Sequence, residues 1–142
     1  MDRAKAQRWL KAYMRAWETY EPAAIGKLFS TDAEYRYHPW AEGRSVLRGR
    51  DAIVANWLEH RDRPGTYEGE YRPLVVHGST VIAVGTSRYY SDATRRKLVR
   101  GFHNLWVVDF DGKGQCRSFT EWFMKSPRPN AHEKSPRPNA HE

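Results

Sequence analysis

The chain has 142 residues, a formal net charge of +7 and a hydrophobic fraction of 39%, which fits one domain of the commonest size. No apolar run approaches the roughly 20 residues of a membrane helix and the N-terminus is too charged for a signal peptide, so we expect a soluble, cytoplasmic protein. Its basic residues are scattered among acids and only Arg95-Arg96-Lys97 form a run, which favours a solvated turn over a nucleic-acid patch.

The N-terminal segment predicts an amphipathic helix, because its large apolar residues recur at intervals of one, three and four. They are Trp9, Leu10, Tyr13, Met14, Trp17 and Tyr20. Pro22 then opens a second, shorter helix, since proline is tolerated at the first helical position. Residues 33–38 alternate as a strand does, with Ala33, Tyr35 and Tyr37 on one face.

The rest of the chain predicts one more helix and four strands. The helix lies near residues 50–61 and ends before a Pro-Gly pair. Strands follow at residues 67–77, 80–90, 98–110 and 115–125, and glycine-containing turns join the first pair and the last pair. Helices and strands segregated in this way indicate an α+β fold.

An exact repeat ends the chain. The segment KSPRPNAHE occupies residues 125–133 and recurs letter for letter at residues 134–142. Two prolines per copy forbid a helix and discourage a strand. We therefore divide the chain into a domain at residues 1–124 and a flexible tail at residues 125–142.

Two stretches carry a resemblance to a known family. LFSTDAEYRYHPWAEGRSVLRGRDAIVANW, at residues 28–57, resembles the opening of the nuclear transport factor 2-like superfamily, and FDGKGQCRSFTEWFM, at residues 110–124, resembles its terminal hairpin. The superfamily includes SnoaL-like polyketide cyclases, ketosteroid isomerase and limonene epoxide hydrolase. The resemblance implies a cone-shaped α+β fold, in which a curved antiparallel sheet and N-terminal helices enclose a pocket, and commonly a homodimer.

The last hairpin predicts which side chains share the pocket face. Pairing Phe110 with Cys116 around the turn places His103 and Leu105 on the same face as Glu121. A register slip of one residue would instead make Asn104 the neighbour of Glu121, and the sequence leaves this alternative open. In the favoured register, Trp106, Val108 and Phe110 of the first hairpin strand lie on the convex face of the sheet. An exposed apolar face of this size indicates an interface, so we expect a homodimer through the sheets.

Glu121 is the central candidate for chemistry. Apolar neighbours would raise the pKa of its carboxyl, as a general acid or base near neutral pH requires. The resemblance implies the same role, since Thr120-Glu121-Trp122-Phe123 resembles the Arg-Asp-Tyr-Phe segment of limonene epoxide hydrolases, whose Asp is catalytic. Tyr35 stands at their water-positioning tyrosine, whereas Tyr37 replaces their pocket asparagine.

The leading hypothesis is a cofactor-independent acid–base enzyme acting on a small hydrophobic molecule, of isomerase, dehydratase, cyclase or epoxide hydrolase type. Its catalytic residues would be Glu121, His103, Tyr35 and Tyr37. The other expected pocket residues are Tyr13, Trp17, His38, Trp40, Trp57, Arg88, Leu105, Phe119 and Phe123.

Two other features bear on the type of site. The alternative hypothesis is a non-catalytic ligand-binding or dimerisation module, in which Glu121 pairs with Arg36 or Arg88 and aromatic rings fill the cavity. The histidines lack metal-ligand spacing and Cys116 is the only cysteine, so we expect no metal site and no cofactor.

Overall fold

A computed structural model describes residues 1–127, so most of the predicted tail lies outside the described residues. Helix α1 spans Arg3–Thr19, α2 spans Pro22–Lys27 and α3 spans Arg50–Glu59, close to the three predicted helices. The Asp2 side chain caps α1 by accepting a hydrogen bond from the Lys5 backbone N–H. Within the described residues, no helix is long and apolar enough to cross a membrane.

Six strands form one curved sheet in the spatial order β2-β1-β6-β5-β4-β3. They are β1 (Phe29–Arg36), β2 (Leu47–Arg48), β3 (Tyr67–His77), β4 (Thr80–Tyr90), β5 (Leu98–Phe110) and β6 (Cys116–Lys125). Neighbours are antiparallel except β1 and β6, which are parallel. The bounds of β3, β4 and β5 are those predicted, whereas β2 is too short for its alternation to be seen in the sequence.

The core lies between α1 and the inner face of the sheet. The apolar stripe of α1 is buried there, and the Trp9 indole Nε1 donates to the Leu28 carbonyl oxygen at 3.0 Å. One end of this inner face is filled by aromatic rings, each less than 8% exposed. This filled end consists of Trp9, Phe29, Trp57, Phe110 and Phe119.

The β5–β6 register contains a bulge that the sequence analysis missed. Phe110 pairs with Cys116 as predicted, but the next pair along is Asp109 with Ser118, which leaves Arg117 as an extra residue on β6. Arg117 is exposed, and its Nε donates to the Asp109 carboxylate at 3.0 Å. The ion pair across the hairpin therefore holds the bulge in place.

Every pairing beyond the bulge is shifted by one residue from the prediction. Trp106 lies opposite Glu121, and Asn104 lies on the same inner face. His103 and Leu105 lie on the outer face, so the prediction that they neighbour Glu121 was wrong. The structure has the alternative register with Asn104 beside the carboxylate.

The predicted convex surface was wrong for the same reason, because Trp106, Val108 and Phe110 are at most 2% exposed and belong to the core. The outer face of β4, β5 and β6 carries a different apolar set. It consists of Ile82, Val84, Leu105, Val107 and Trp122. A homodimer through the outer face stays a prediction.

Candidate functional site

The inner face of the sheet and α1 enclose an aromatic cavity of about 320 Å³ at the end opposite the filled end. Thirteen residues line it, nine of them Trp, Tyr or Phe, and none is lysine or arginine. They are Tyr13, Trp17, Tyr35, Tyr37, His38, Tyr67, Ser87, Tyr89, Phe102, Asn104, Trp106, Glu121 and Phe123. The volume is at the lower end of the range of small-molecule sites.

A larger depression of about 600 Å³ lies between α1 and β3. Its charged side chains, among them Lys11, Arg15 and Glu70, are all exposed to solvent. Solvated charges of this kind bind small molecules weakly because water screens them. We therefore take the aromatic cavity as the candidate site.

Strand β6 directs Glu121 into the aromatic cavity. Its Oε2 accepts a hydrogen bond from the Trp106 indole Nε1 at 2.7 Å and a longer one from Asn104 Nδ2 at 3.5 Å. No ion pair with a lysine or arginine forms at this carboxylate within residues 1–127. Burial raises the pKa of Glu121 from its ordinary 4.5 to about 7, and the hydrogen bond from Trp106 opposes the rise. The carboxyl can thus be charged or neutral near physiological pH.

A chain of hydrogen bonds runs away from Glu121 across the sheet. Asn104 Nδ2 donates to the Tyr71 hydroxyl at 2.8 Å, which lies 2.6 Å from Ser87 Oγ, and Ser87 Oγ lies 2.9 Å from the Tyr67 hydroxyl. The Tyr71 hydroxyl accepts from the amide, and in the two hydroxyl–hydroxyl contacts either oxygen can be the donor. The amide of Asn104 is thereby oriented with its N–H groups towards the carboxylate.

Two tyrosines on the opposite wall share a short hydrogen bond. The Tyr13 and Tyr35 hydroxyl oxygens are 2.6 Å apart, and the Tyr37 hydroxyl donates to Asn56 Oδ1 at 2.8 Å. Burial raises the pKa of all three phenols, and the nearby Glu121 charge adds to the rise. They are therefore neutral donors. The Tyr13–Tyr35 bond uses one of its two protons, which leaves one O–H for another acceptor.

Seven of the predicted site residues line the aromatic cavity. They are Tyr13, Trp17, Tyr35, Tyr37, His38, Glu121 and Phe123. Trp40 is 72% exposed and stacks on the His38 ring with centroids 4.8 Å apart, outside the lining. Trp57 and Phe119 lie behind the wall in the filled end, where Phe119 stacks on Tyr35 at 4.4 Å.

Three predicted site residues lie on the outer face of the sheet, so their predicted place in the pocket was wrong. His103 and Leu105 are there because of the bulge. Arg88 is there because alternation along β4 turns Ser87 inward, and its Nη1 lies 3.6 Å from Glu68 on the same face. None of the three can touch a molecule bound beside Glu121.

Five lining residues were missed by the sequence analysis, and Asn104 was reached only through the alternative register. The five are Tyr67, Ser87, Tyr89, Phe102 and Trp106. In the β3–β4 hairpin, counting from the His77–Thr80 pair at the turn would place Tyr67 opposite Tyr90. A bulge between Pro73 and Val75 shifts the register, so that Tyr67 pairs with Tyr89 instead. The β5 residues likewise depend on the bulge at Arg117, and nothing in the local sequence marks either bulge.

No group of three or more His, Cys, Asp or Glu side chains that could hold a metal ion occurs in residues 1–127. His38, His77 and His103 lie apart from one another, since His38 lines the cavity, His77 ends β3 and His103 is on the outer face.

The fold is that of the nuclear transport factor 2-like proteins. An NTF2-like protein of unknown function from Burkholderia xenovorans LB400 superposes with a TM-score of 0.64 at 18% identity, covering 92% of each chain. The epoxide hydrolase/cyclase-like enzyme SalBIII of salinomycin pyran ring formation gives 0.63 at 15% identity, covering 87% of this chain and 93% of that one. An LEH-like epoxide hydrolase from M. tuberculosis gives 0.60 at 15%, covering 85% and 84%.

Comparison of the sequence with family profiles identifies one family among the proteins with this fold. The profile of the SnoaL-like domain matches residues 10–115, most of the described chain. The protein therefore belongs to the SnoaL-like domain family. None of the curated proteins compared with it gave a significant match.

Proposed function

We propose that this protein is an acid–base enzyme that acts on a small hydrophobic molecule without a cofactor, with Glu121 as the proton-transfer group. The observation that carries the proposal is a carboxylate with no ion-pair partner in the described chain, held by Trp106 and Asn104 inside the aromatic cavity. A structural carboxylate in a protein interior is normally paired. Titratable groups perturbed by burial in a cleft are typical of active sites.

The geometry gives each polar group a role. Both hydrogen bonds to Glu121 go to Oε2, so Oε1 is available to a substrate proton. The free O–H of the Tyr13–Tyr35 pair would donate to a substrate oxygen or a water molecule. The reaction would then be a proton abstraction or donation next to that oxygen, as in an isomerisation, dehydration, cyclisation or epoxide opening.

The relatives agree with this reaction class. The enzymes SalBIII and the M. tuberculosis protein are described as epoxide hydrolase or cyclase types, and they share the fold. At identities of 15% they support the choice of substrates to test, while the roles of individual residues rest on the geometry of this chain.

The test is turnover of a panel of small epoxides, enones and β-hydroxy ketones by the parent and by Glu121→Gln. We expect Glu121→Gln to lower kcat/KM by about 100-fold or more, the usual worth of a general acid or base. His103→Gln is the matched control, because it alters a polar side chain of β5 on the outer face, and it should keep full activity.

The pH profile distinguishes the two directions of proton transfer. If Glu121 is the base, kcat/KM rises between pH 6 and pH 8, because the carboxyl has a pKa of about 7 and becomes ionised over this interval. If it is the acid, kcat/KM falls over the same interval. Turnover that survives Glu121→Gln unchanged would contradict the proposal.

A non-catalytic binding module is the second candidate, and one observation favours it. The side chains that hydrogen-bond to Glu121 are Trp106 and Asn104, which are donors that do not titrate, so no second proton-transfer group touches the carboxylate within residues 1–127. Ligand binding with no turnover of any panel member, by calorimetry on the same compounds, would favour this candidate.

A further inference from the structure

The distribution of charge in the aromatic cavity points to a class of ligand, and we propose that the cavity selects hydrophobic molecules that carry a positive charge, such as protonated or quaternary amines. It would reject carboxylates and phosphates of the same size. This inference deepens the proposed function and rests on the cavity being its ligand site.

The lining of the aromatic cavity has a negative charge, although the net charge of the whole chain is positive. The whole chain has 24 Lys and Arg against 17 Asp and Glu, yet the thirteen lining residues include no Lys or Arg and one carboxylate, Glu121. An anionic ligand would meet this carboxylate without a cation to compensate it. A cationic ligand would supply the ion-pair partner that the carboxylate lacks in the described chain.

The aromatic rings favour a cation as well. Rings from every element around the cavity face it, among them Trp17 of α1, Tyr67 of β3 and Phe102 of β5. The π face of an aromatic ring is negative, and attraction to a cation grows where water is excluded. One ring already holds a cation on the protein itself, since the Arg100 guanidinium carbon lies 4.3 Å from the centre of the Tyr89 ring.

Arg100 does not fill the role of the missing partner. It is exposed and not among the lining residues, and it forms no ion pair with Glu121. These three observations place its charge outside the cavity. The carboxylate therefore remains available to a ligand.

The groups that face Glu121 decide how binding depends on pH. From α1 and β1 these are Tyr13, Tyr35 and Tyr37, and from β3 and β4 they are Tyr67 and Tyr89, all phenols whose pKa burial raises. From β5 they are the uncharged Asn104 and Trp106. His38, after β1, is the remaining ionisable side chain of the lining besides these phenols and Glu121.

Two matched pairs of probes test the proposal by isothermal titration calorimetry. Choline and 3,3-dimethylbutan-1-ol have the same shape and differ only in charge, and benzyltrimethylammonium and phenylacetate have opposite charges on one aromatic frame. At pH 8 we expect choline to bind at least about tenfold more tightly than its neutral isostere, and phenylacetate to bind more weakly than benzyltrimethylammonium.

The affinity for both cations should fall by up to about tenfold from pH 8 to pH 6. The ionised fraction of Glu121, with its pKa of about 7, falls from roughly nine tenths to one tenth over this interval. The affinity for the neutral isostere should stay constant.

Two variants assign the effect to a residue. Glu121→Gln should lose the pH dependence and most of the charge preference, and only the part that the aromatic rings supply should remain. Glu59→Gln, an exposed carboxylate of α3, is the matched control and should behave as the parent. Equal affinity for choline and its isostere, tighter binding of phenylacetate, or no binding of either cation would overturn the ligand class. Turnover of neutral substrates that depends on Glu121 would, in that case, leave the proposed function standing.

Discussion

The filled end and the aromatic cavity are built from the same kinds of side chain but differ in what their polar atoms contact. In the filled end, Trp9 donates to a backbone carbonyl at 3.0 Å, and the Trp9 and Phe110 rings lie 5.2 Å apart. In the cavity, the Trp106 indole donates to a carboxylate, and the rings surround about 320 Å³ of space. Aromatic content therefore does not separate core from site, whereas the hydrogen-bond partners do.

This difference has a thermodynamic side. Rings that contact one another stabilise the fold through burial and packing. A carboxyl kept from water costs stability when it is charged, and a cavity forgoes contacts that a filled core would make. Removing a ring from the filled end should therefore lower the free energy of unfolding strongly, whereas neutralising the cavity carboxylate should raise it.

The largest effect is expected in the filled end. Phe119→Ala should lower the free energy of unfolding by about 3–5 kcal/mol, because Phe119 is fully buried and stacks on both Tyr35 and Tyr13. Phe123→Ala at the cavity, where the ring is 45% exposed, should cost less than about 1.5 kcal/mol. Urea unfolding of both variants measures the contrast, and equal losses would contradict it.

The next effect is a gain in stability at the cavity. The Glu121 carboxyl has a pKa of about 7 in the folded protein and of about 4.5 in the unfolded chain. Between these two pH values the folded state therefore binds more protons than the unfolded state. The free energy of unfolding therefore falls as pH rises through this window, by about 3 kcal/mol from this group. Glu121→Gln should remove that fall and be more stable than the parent at pH 8.

Urea unfolding at pH 4.5 and pH 8 checks this sign. The parent and Glu121→Gln should have similar free energies of unfolding at pH 4.5, where the carboxyl is neutral in the folded state. A variant less stable than the parent at pH 8 would mean that the carboxylate is a structural ion-pair partner.

A smaller effect is expected at the Tyr13–Tyr35 hydrogen bond, which lies between the two ends. Either Tyr13→Phe or Tyr35→Phe should cost about 1–2 kcal/mol, because the remaining buried hydroxyl loses its partner. The double variant should cost less than the sum of the two. A double-mutant cycle by urea unfolding measures the coupling, and additive losses would show that the hydroxyls do not stabilise each other.

The sequence was sufficient to predict the helices and strands that form the filled end and the cavity. It was insufficient to predict which side chains line the cavity. Periodicity located α1 and its buried residues, and alternation with turn residues located β3 and β4. The resemblance at residues 28–57 and 110–124 then gave the fold. These signals are local or depend on a family pattern, which is why a single sequence contains them.

The prediction of the cavity wall failed because a register shift of one residue changes which side chains of a strand lie on the inner face. The bulge at Arg117 is stabilised by Asp109 on the neighbouring strand, a contact between residues that the turn separates. From the sequence, a hairpin with the bulge and one without it look alike. Glu121 was found because it lies on β6 itself, whereas its partners Asn104 and Trp106 lie across the sheet.

The smallest effect is expected at a carboxylate outside the cavity. Glu34 forms ion pairs with Arg36, at 3.1 Å, and with Arg48. These side chains are partly exposed, so Glu34→Gln should lower the free energy of unfolding by about 0.5 kcal/mol, and by less in 0.5 M salt. The same chemical change thus stabilises at Glu121 and destabilises at Glu34. If both variants lose stability at pH 8, the absence of a cationic partner is not what distinguishes the cavity carboxylate.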